Sequence, residues 1–138
     1  MVQTARCGER LRGRTVNVFI VDDSAAIRDA LVSMLTGLKQ IRVVGSTGDA
    51  TTAPDRIREM RPDVAILDIR MPGMSGIEIL RRLKREPYPP VVIILTNYPY
   101  PQYRERCQKA GADYFLDKST EFDRLVRTLR GLAEQAGD

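Results

Sequence analysis

Five short strand-like runs, each followed by a helical pattern, constrain this chain more than any other feature. The runs are Val16 to Val21, Ile41 to Gly45, Val64 to Leu67, Val91 to Leu95 and Asp113 to Asp117. The third is the most telling, because Val64-Ala65-Ile66-Leu67 is apolar throughout. Such a run reads as a strand buried on both faces, as in a parallel sheet. It ends on Asp68, and a Met71-Pro72-Gly73 turn follows. Ligands of open α/β sheets bind at the carboxyl ends of the strands. Asp68 therefore stands where chemistry is expected.

The intervening segments carry helical stripes. Ser24 is a good N-cap for a helix with Ile27, Leu31, Met34, Leu35 and Leu38 on one face. Gly37 suits a left-handed position at its end. A second helix starts near Thr52 or Ala53, since Pro54 is tolerated only in a first turn; Ile57 and Met60 face inward. A third spans Gly76 to Arg85, with Ile77, Leu80 and Leu83 inward. The prolines at 99 and 101 keep a fourth from starting before about Pro101, and Gly111 ends it. Thr120-Glu121-Phe122-Asp123 reads as a capping box before a fifth helix striped by Phe122, Leu125, Val126, Leu129 and Leu132. Strands alternating with helices at this spacing mean an α/β fold, a doubly wound parallel sheet with right-handed crossovers.

Residues 1–14 lack periodicity and hold Arg6, Arg10, Arg12 and Arg14, so they read as a flexible Arg-rich leader to one domain over 15–138. No apolar run nears the roughly 18 residues of a membrane span, and no secretory signal is visible. Cys7 and Cys107 match no metal spacing, which points to a reduced, cytoplasmic protein. The net charge of +4 is carried mostly by arginines scattered over several elements. They form no nucleic-acid module, so direct nucleic-acid binding is not expected. Histidine is absent. Any metal must then be held by oxygens, which favours Mg²⁺ or Ca²⁺.

Polar residues gather at four strand ends: Asp22 and Asp23, Asp68, Thr96 and Lys118. In a parallel sheet these ends share one edge. Three carboxylates there repel one another and raise each other's pKa. A divalent cation relieves this, and the all-oxygen set suits Mg²⁺. Carboxylates, a metal, an amine and a hydroxyl suit a transferring phosphoryl group. Taken singly, each residue reads as a turn former, a cap or a strand end; the joint pattern is what carries the functional reading.

Asp22-Asp23, Asp68 followed by Met71-Pro72 and Gly76, Thr96 and Lys118 together resemble the receiver domain of two-component response regulators, over about residues 16 to 136. The resemblance implies a flavodoxin-like sheet of order 2-1-3-4-5 with five helices. It implies that Asp68 is the phosphoacceptor, served by a sensor histidine kinase or phosphotransfer protein of a bacterial signalling system. Asp23 matches the direct Mg²⁺ ligand, Asp22 a ligand acting largely through water, and the Arg70 backbone carbonyl the third protein contact. Thr96 and Lys118 would bind the phosphoryl group. Thr96 and the ring of Phe115 would form the switch, the plainer reading of Phe115 being core packing. Tyr114, its neighbour, should face the other way.

Three departures stand out. Asn97 replaces the small residue usual after the threonine and narrows access to Asp68. Ser119 replaces a frequent proline, so the Lys118–Ser119 bond should be trans. Tyr98-Pro99-Tyr100-Pro101, with Tyr103, forms either a partner surface or ordinary loop packing. The main expectation is a phosphorylatable receiver with no output domain, a signalling switch rather than an enzyme. It is expected as a monomer or weak dimer that acts on an unknown downstream protein. The alternatives are a degenerate receiver that binds partners without phosphorylation and an aspartyl-nucleophile phosphatase. The phosphatase would need an acid where Arg70 stands.

Overall fold

The computed structural model describes residues 15–137, so the expected leader lies outside the described residues. Five strands alternate with five helices. They are β1 (Val16–Val21), α1 (Ala25–Thr36), β2 (Ile41–Thr47), α2 (Ala53–Met60), β3 (Val64–Leu67), α3 (Gly76–Leu83), β4 (Val91–Thr96), α4 (Pro101–Lys109), β5 (Tyr114–Asp117) and α5 (Phe122–Gly137). The sheet order is β2-β1-β3-β4-β5, and every pairing is parallel.

Alternating side chains send each strand's residues to opposite faces, which gives two cores. Val18, Ile20, Ile66, Ile93, Leu95 and Leu116 pack with Leu31 and Leu35 of α1 and Leu125 and Leu129 of α5. Phe19, Val21, Ala65, Leu67, Val92 and Ile94 pack with Ile57 of α2, Ile77 and Leu80 of α3, and Cys107 of α4. Burying both faces of β1, β3 and β4 requires near-continuous apolar runs, and all four residues of β3 are buried. No helix among the described residues is long and apolar enough to cross a membrane.

Several local readings need correction. Gly37 ends α1 with φ −78°, a right-handed value. The left-handed residue is Gln40 at φ 67°, whose carbonyl accepts the Val16 N–H at 2.8 Å. The chain makes one further turn so that Leu38 packs against the first core before it reverses. Met60 is 46% exposed rather than inward. It lies on the last turn of α2, where Arg61 takes φ 49° and swings the chain toward β3. The Thr120 capping box does not form, because α5 starts at Phe122 and Glu121 takes the position before it. β2 also runs two residues further than its apolar pattern, to Thr47, past a register shift opposite Val18 and Phe19. Ser24 caps α1 as expected, its hydroxyl accepting from Ile27 N–H at 3.3 Å. α2 begins at Ala53 and α4 at Pro101, both as expected.

Candidate functional site

The carboxyl ends of β1, β3, β4 and β5 converge on one edge. β3 lies between β1 and β4, with Leu67 opposite Val21 on one side and Ile94 on the other. This register brings Asp22, Asp68 and Thr96 to neighbouring strand ends. Asp22, Asp68, Thr96 and Lys118 are all buried, whereas Asp23 is exposed.

Lys118 ties the group together. Its Nζ lies 2.5 Å from Asp22 Oδ2 and 3.1 Å from Asp68 Oδ2. Its backbone N–H donates to the Thr96 carbonyl at 2.7 Å, which fixes it against β4. The turn beyond it is held by Asp117, whose carboxylate accepts from Ser119 N–H at 2.9 Å and from the Ser119 hydroxyl at 2.7 Å. Glu121 reaches back to the Asp117 N–H at 2.8 Å. The described chain has no cis peptide bond, so Lys118–Ser119 is trans, as expected.

The second oxygens of the acids are also engaged. Asp22 Oδ1 accepts from Ser24 N–H at 2.9 Å and Asp68 Oδ1 from Ile69 N–H at 2.7 Å. The Arg28 guanidinium clamps the same turn by donating to the Asp22 carbonyl at 2.7 Å. Burial pushes the Asp68 carboxyl above its ordinary value; the Lys118 charge opposes this and the Asp22 charge adds to it. Burial disfavours the charge on Lys118, but its bond to Asp22 and the nearby Asp68 charge outweigh that and raise its pKa.

One ligand oxygen each from Asp22, Asp23 and Asp68 can be drawn so that all three lie within 4.8 Å of one another. Asp23 has no hydrogen bond or ion pair among the described residues. A free carboxylate beside two buried ones, with one ammonium to balance them, is a donor set that fits a hard divalent cation.

Thr96 is fully buried, and its hydroxyl oxygen accepts from Tyr98 N–H at 3.0 Å. Asn97 is exposed. Arg70 is exposed as well, and its guanidinium carbon lies 4.3 Å from the centre of the Tyr98 ring. Tyr98, Tyr100 and Tyr103 follow one another at 6.3 and 6.0 Å between ring centres. A groove of about 750 Å³ opens there, lined in part by Arg70, Met74, Ile77, Tyr98, Tyr103 and Arg106; Asp68 does not line it. Phe115 is half-buried and packs with the second core, and the Arg104 guanidinium carbon sits 4.5 Å from its ring centre. Tyr114 is 36% exposed.

Two features of the site escape the sequence pattern. Nothing in the sequence distinguishes Arg28 from the other helical arginines. The Arg70–Tyr98 stack joins residues far apart in the chain, and only the proximity of their two strand ends could have suggested it.

A profile of the response regulator receiver domain matches residues 18–130. The chain belongs to that family and is a receiver domain of the two-component response regulator type. An uncharacterized response regulatory protein of Vibrio cholerae is 33% identical over 120 residues, covering 87% of this chain and 49% of that protein. The uncharacterized transcriptional regulatory protein YvfU of Bacillus subtilis is 36% identical over 115 residues, covering 83% of this chain and 58% of that one. The chain thus spans about half the length of these relatives. Among solved structures, the response regulator domain of Thermotoga maritima CheB matches with a TM-score of 0.80 at 26% identity, over 88% of this chain and 98% of that one. The signal receiver domain of NarL from Mycobacterium tuberculosis gives the same TM-score and coverage at 29% identity. The flavodoxin-like receiver fold expected from the sequence is the fold observed.

Proposed function

We infer that Asp68 accepts a phosphoryl group from a histidine kinase or phosphotransfer protein, in the presence of Mg²⁺, and that the modified domain changes its binding to a downstream protein. The observation that supports this most is the buried Asp68 carboxylate 3.1 Å from Lys118 Nζ, with Asp22 and Asp23 beside it. The carboxylate is a nucleophile once ionised and needs no general base. One Asp68 oxygen attacks phosphorus, the P–N bond of the donor phosphohistidine breaks, and its electron pair leaves with the imidazole. The product is an acyl phosphate on Asp68.

Asp22, Asp23, Asp68 and the Arg70 carbonyl would hold Mg²⁺, which when bound neutralises charge on the phosphoryl oxygens. Lys118 supplies a fixed positive charge for one of those oxygens, so it exchanges a carboxylate partner for a phosphoryl one. Thr96 donates its hydroxyl to another oxygen, while that hydroxyl can still accept from Tyr98 N–H. Phe115, on the neighbouring strand, answers the movement of the loop after β4. This is a shift between two arrangements driven by a local charge event. The setting is a bacterial cytoplasm, and the chain promotes only its own phosphorylation and dephosphorylation. Arg70 stands two residues past the nucleophile, where an aspartyl-nucleophile phosphatase would need an acid.

Incubation with acetyl phosphate and Mg²⁺, followed by intact-mass measurement, tests the reading. The expected result is a gain of one phosphate in the wild type and none in Asp68→Ala. No gain in the wild type would favour a receiver that works without phosphorylation.

A further inference from the structure

Arg28 reaches the acidic edge of the sheet but pairs there with a neutral group. The residue is half-buried, and its guanidinium donates to the Asp22 carbonyl at 2.7 Å. It makes no ion pair with a carboxylate among the described residues. Its backbone is anchored in the first turn of α1, where the N–H donates to the Ser24 carbonyl at 3.0 Å, so the side chain folds back over the start of the helix. On its other side lies the loop between β2 and α2. A Cβ built on Gly48 would collide with Arg28 Nη1 and stand 3.1 Å from its guanidinium carbon. The Asp22 N–H joins the same two loops, donating to the Thr47 carbonyl at 3.1 Å. Asp22 is thus held at both backbone groups and both carboxylate oxygens, by Thr47, Arg28, Ser24 and Lys118. Asp23 has no such support. It makes no hydrogen bond or ion pair among the described residues, and its position follows from the peptide that joins it to Asp22. That peptide is planar, so holding its carbonyl oxygen also orients Asp23.

We propose that Arg28, seated on the bare backbone of Gly48, is a positioning residue for the divalent-cation site: it fixes the Asp22–Asp23 peptide and so holds the Asp23 carboxylate beside Asp22 and Asp68 before the cation arrives. The inference rests on Asp22, Asp23 and Asp68 being ligands of that cation. A guanidinium bound to a carbonyl leaves the carboxylate oxygens to the metal. Restraint is needed because ligand oxygens of three acids within 4.8 Å of one another repel. An unrestrained, exposed Asp23 turns toward water, and binding must then reorder it. Charge alone predicts the opposite effect, since a positive charge close to a cation site weakens binding and its removal strengthens it. The sign of the change therefore separates positioning from plain electrostatics. Gly48 gives an independent way to move the guanidinium. Its φ lies outside the left-handed region, and the three atoms nearest to an added methyl all belong to the Arg28 guanidinium. Alanine there displaces that group without backbone strain.

The experiment uses the full chain and Mg²⁺ alone, with the dissociation constant read by titration calorimetry. Arg28→Met should weaken Mg²⁺ binding about tenfold, the lower end of what loss of a ligand-orienting partner costs. Gly48→Ala keeps the arginine but displaces it, and should weaken binding to a similar degree. The double variant should bind no more weakly than Arg28→Met, because the methyl then has no guanidinium to displace. Arg42→Met removes the same charge from an exposed position at the start of β2 and should leave the constant unchanged. With acetyl phosphate as donor, phosphate gain by intact mass should be slow in both single variants at limiting Mg²⁺. It should return to near the wild-type rate at saturating Mg²⁺, a split that a general loss of structure would not give. Gly48→Ala keeps the test valid if Arg28→Met folds poorly. Tighter or unchanged binding in a folded Arg28→Met, wild-type affinity in Gly48→Ala, or additive losses in the double variant would each overturn the proposal. So would a slowed rate that saturating Mg²⁺ does not restore. A wild type that takes up no Mg²⁺ would instead bring down the ligand assignment, and the role of Arg28 with it.

Discussion

A Cβ placed on Gly76 would lie 1.8 Å from the backbone carbonyl oxygen of Asp68. The first residue of α3 thus packs directly on the Asp68 peptide, and its N–H donates to the Ile69 carbonyl at 2.8 Å. The obstruction is backbone rather than a flexible side chain, so no rotamer change relieves it. Gly76→Ala should therefore push α3 away from β3 and destabilise the domain by about 1–3 kcal/mol or more, as overpacking does. Urea denaturation should show a lower midpoint, together with slower phosphate gain from acetyl phosphate. A variant with wild-type stability and kinetics would mean that the loop from Ile69 to Ser75 yields freely.

The lysine bridge leads to a second expectation. Lys118 Nζ bridges two buried carboxylates at 2.5 and 3.1 Å. Lys118→Met strands both, and breaking a buried pair costs about 3–5 kcal/mol. The loss should be largest in metal-free buffer. Added Mg²⁺ should raise the thermal midpoint of the variant more than that of the wild type, since Asp22 and Asp68 no longer share their oxygens with an ammonium. Equal increments in the two proteins would show that the lysine and the cation do not compete for these oxygens.

The contrast between what could and could not be read from the chain has a physical basis. β3 and β4 were legible because a strand buried on both faces must be apolar throughout, and Asp68 marks where that run stops. Asp22, Thr96 and Lys118 follow the same logic. Their distances do not, since those depend on strand order, which no periodicity encodes. Met60 faces the core by helical angle but ends outside it, because the length of α2 is set by the reversal at Arg61. Thr120 satisfies a capping pattern, yet the carboxylate of Glu121 is drawn to the Asp117 N–H and moves the start of α5. Gln40 takes the left-handed position that a glycine three residues earlier had suggested. In each case a contact made by a distant or neighbouring element overrides a local preference.

The Glu121 bond carries its own pH dependence. Its carboxyl is held below the ordinary value of 4.5, first by the Asp117 N–H and then by the Arg124 side chain. A folded-state pKa below the unfolded one gives stability that is present above about 4.5 and is lost as pH falls through the lowered value. Glu121→Gln keeps an acceptor oxygen but removes the charge. It should be less stable than the wild type at about pH 7, by about 1 kcal/mol or less since the group is partly solvated. The two proteins should converge in acid. Thermal melts across pH 3 to 7 (roughly the window of this linkage) would show it, and a constant difference throughout would assign the effect to packing.

Cys107 offers a way to observe opening of the second core. It is fully buried against α3 and the sheet, and burial pushes its thiol up to about 11. At about pH 8 only about one thiol in a thousand is ionised, and the thiolate is the species that reacts. Native protein should therefore resist iodoacetamide at Cys107, as read from the mass of the peptide that carries it. Alkylation should rise together with the loss of helical signal in urea, because α4 must leave the sheet to expose the sulfur. If modification instead precedes global unfolding, α4 detaches as a unit of its own. Destabilising the start of that helix with Pro101→Gly should then bring modification on earlier, while the far-ultraviolet signal of the remaining fold persists.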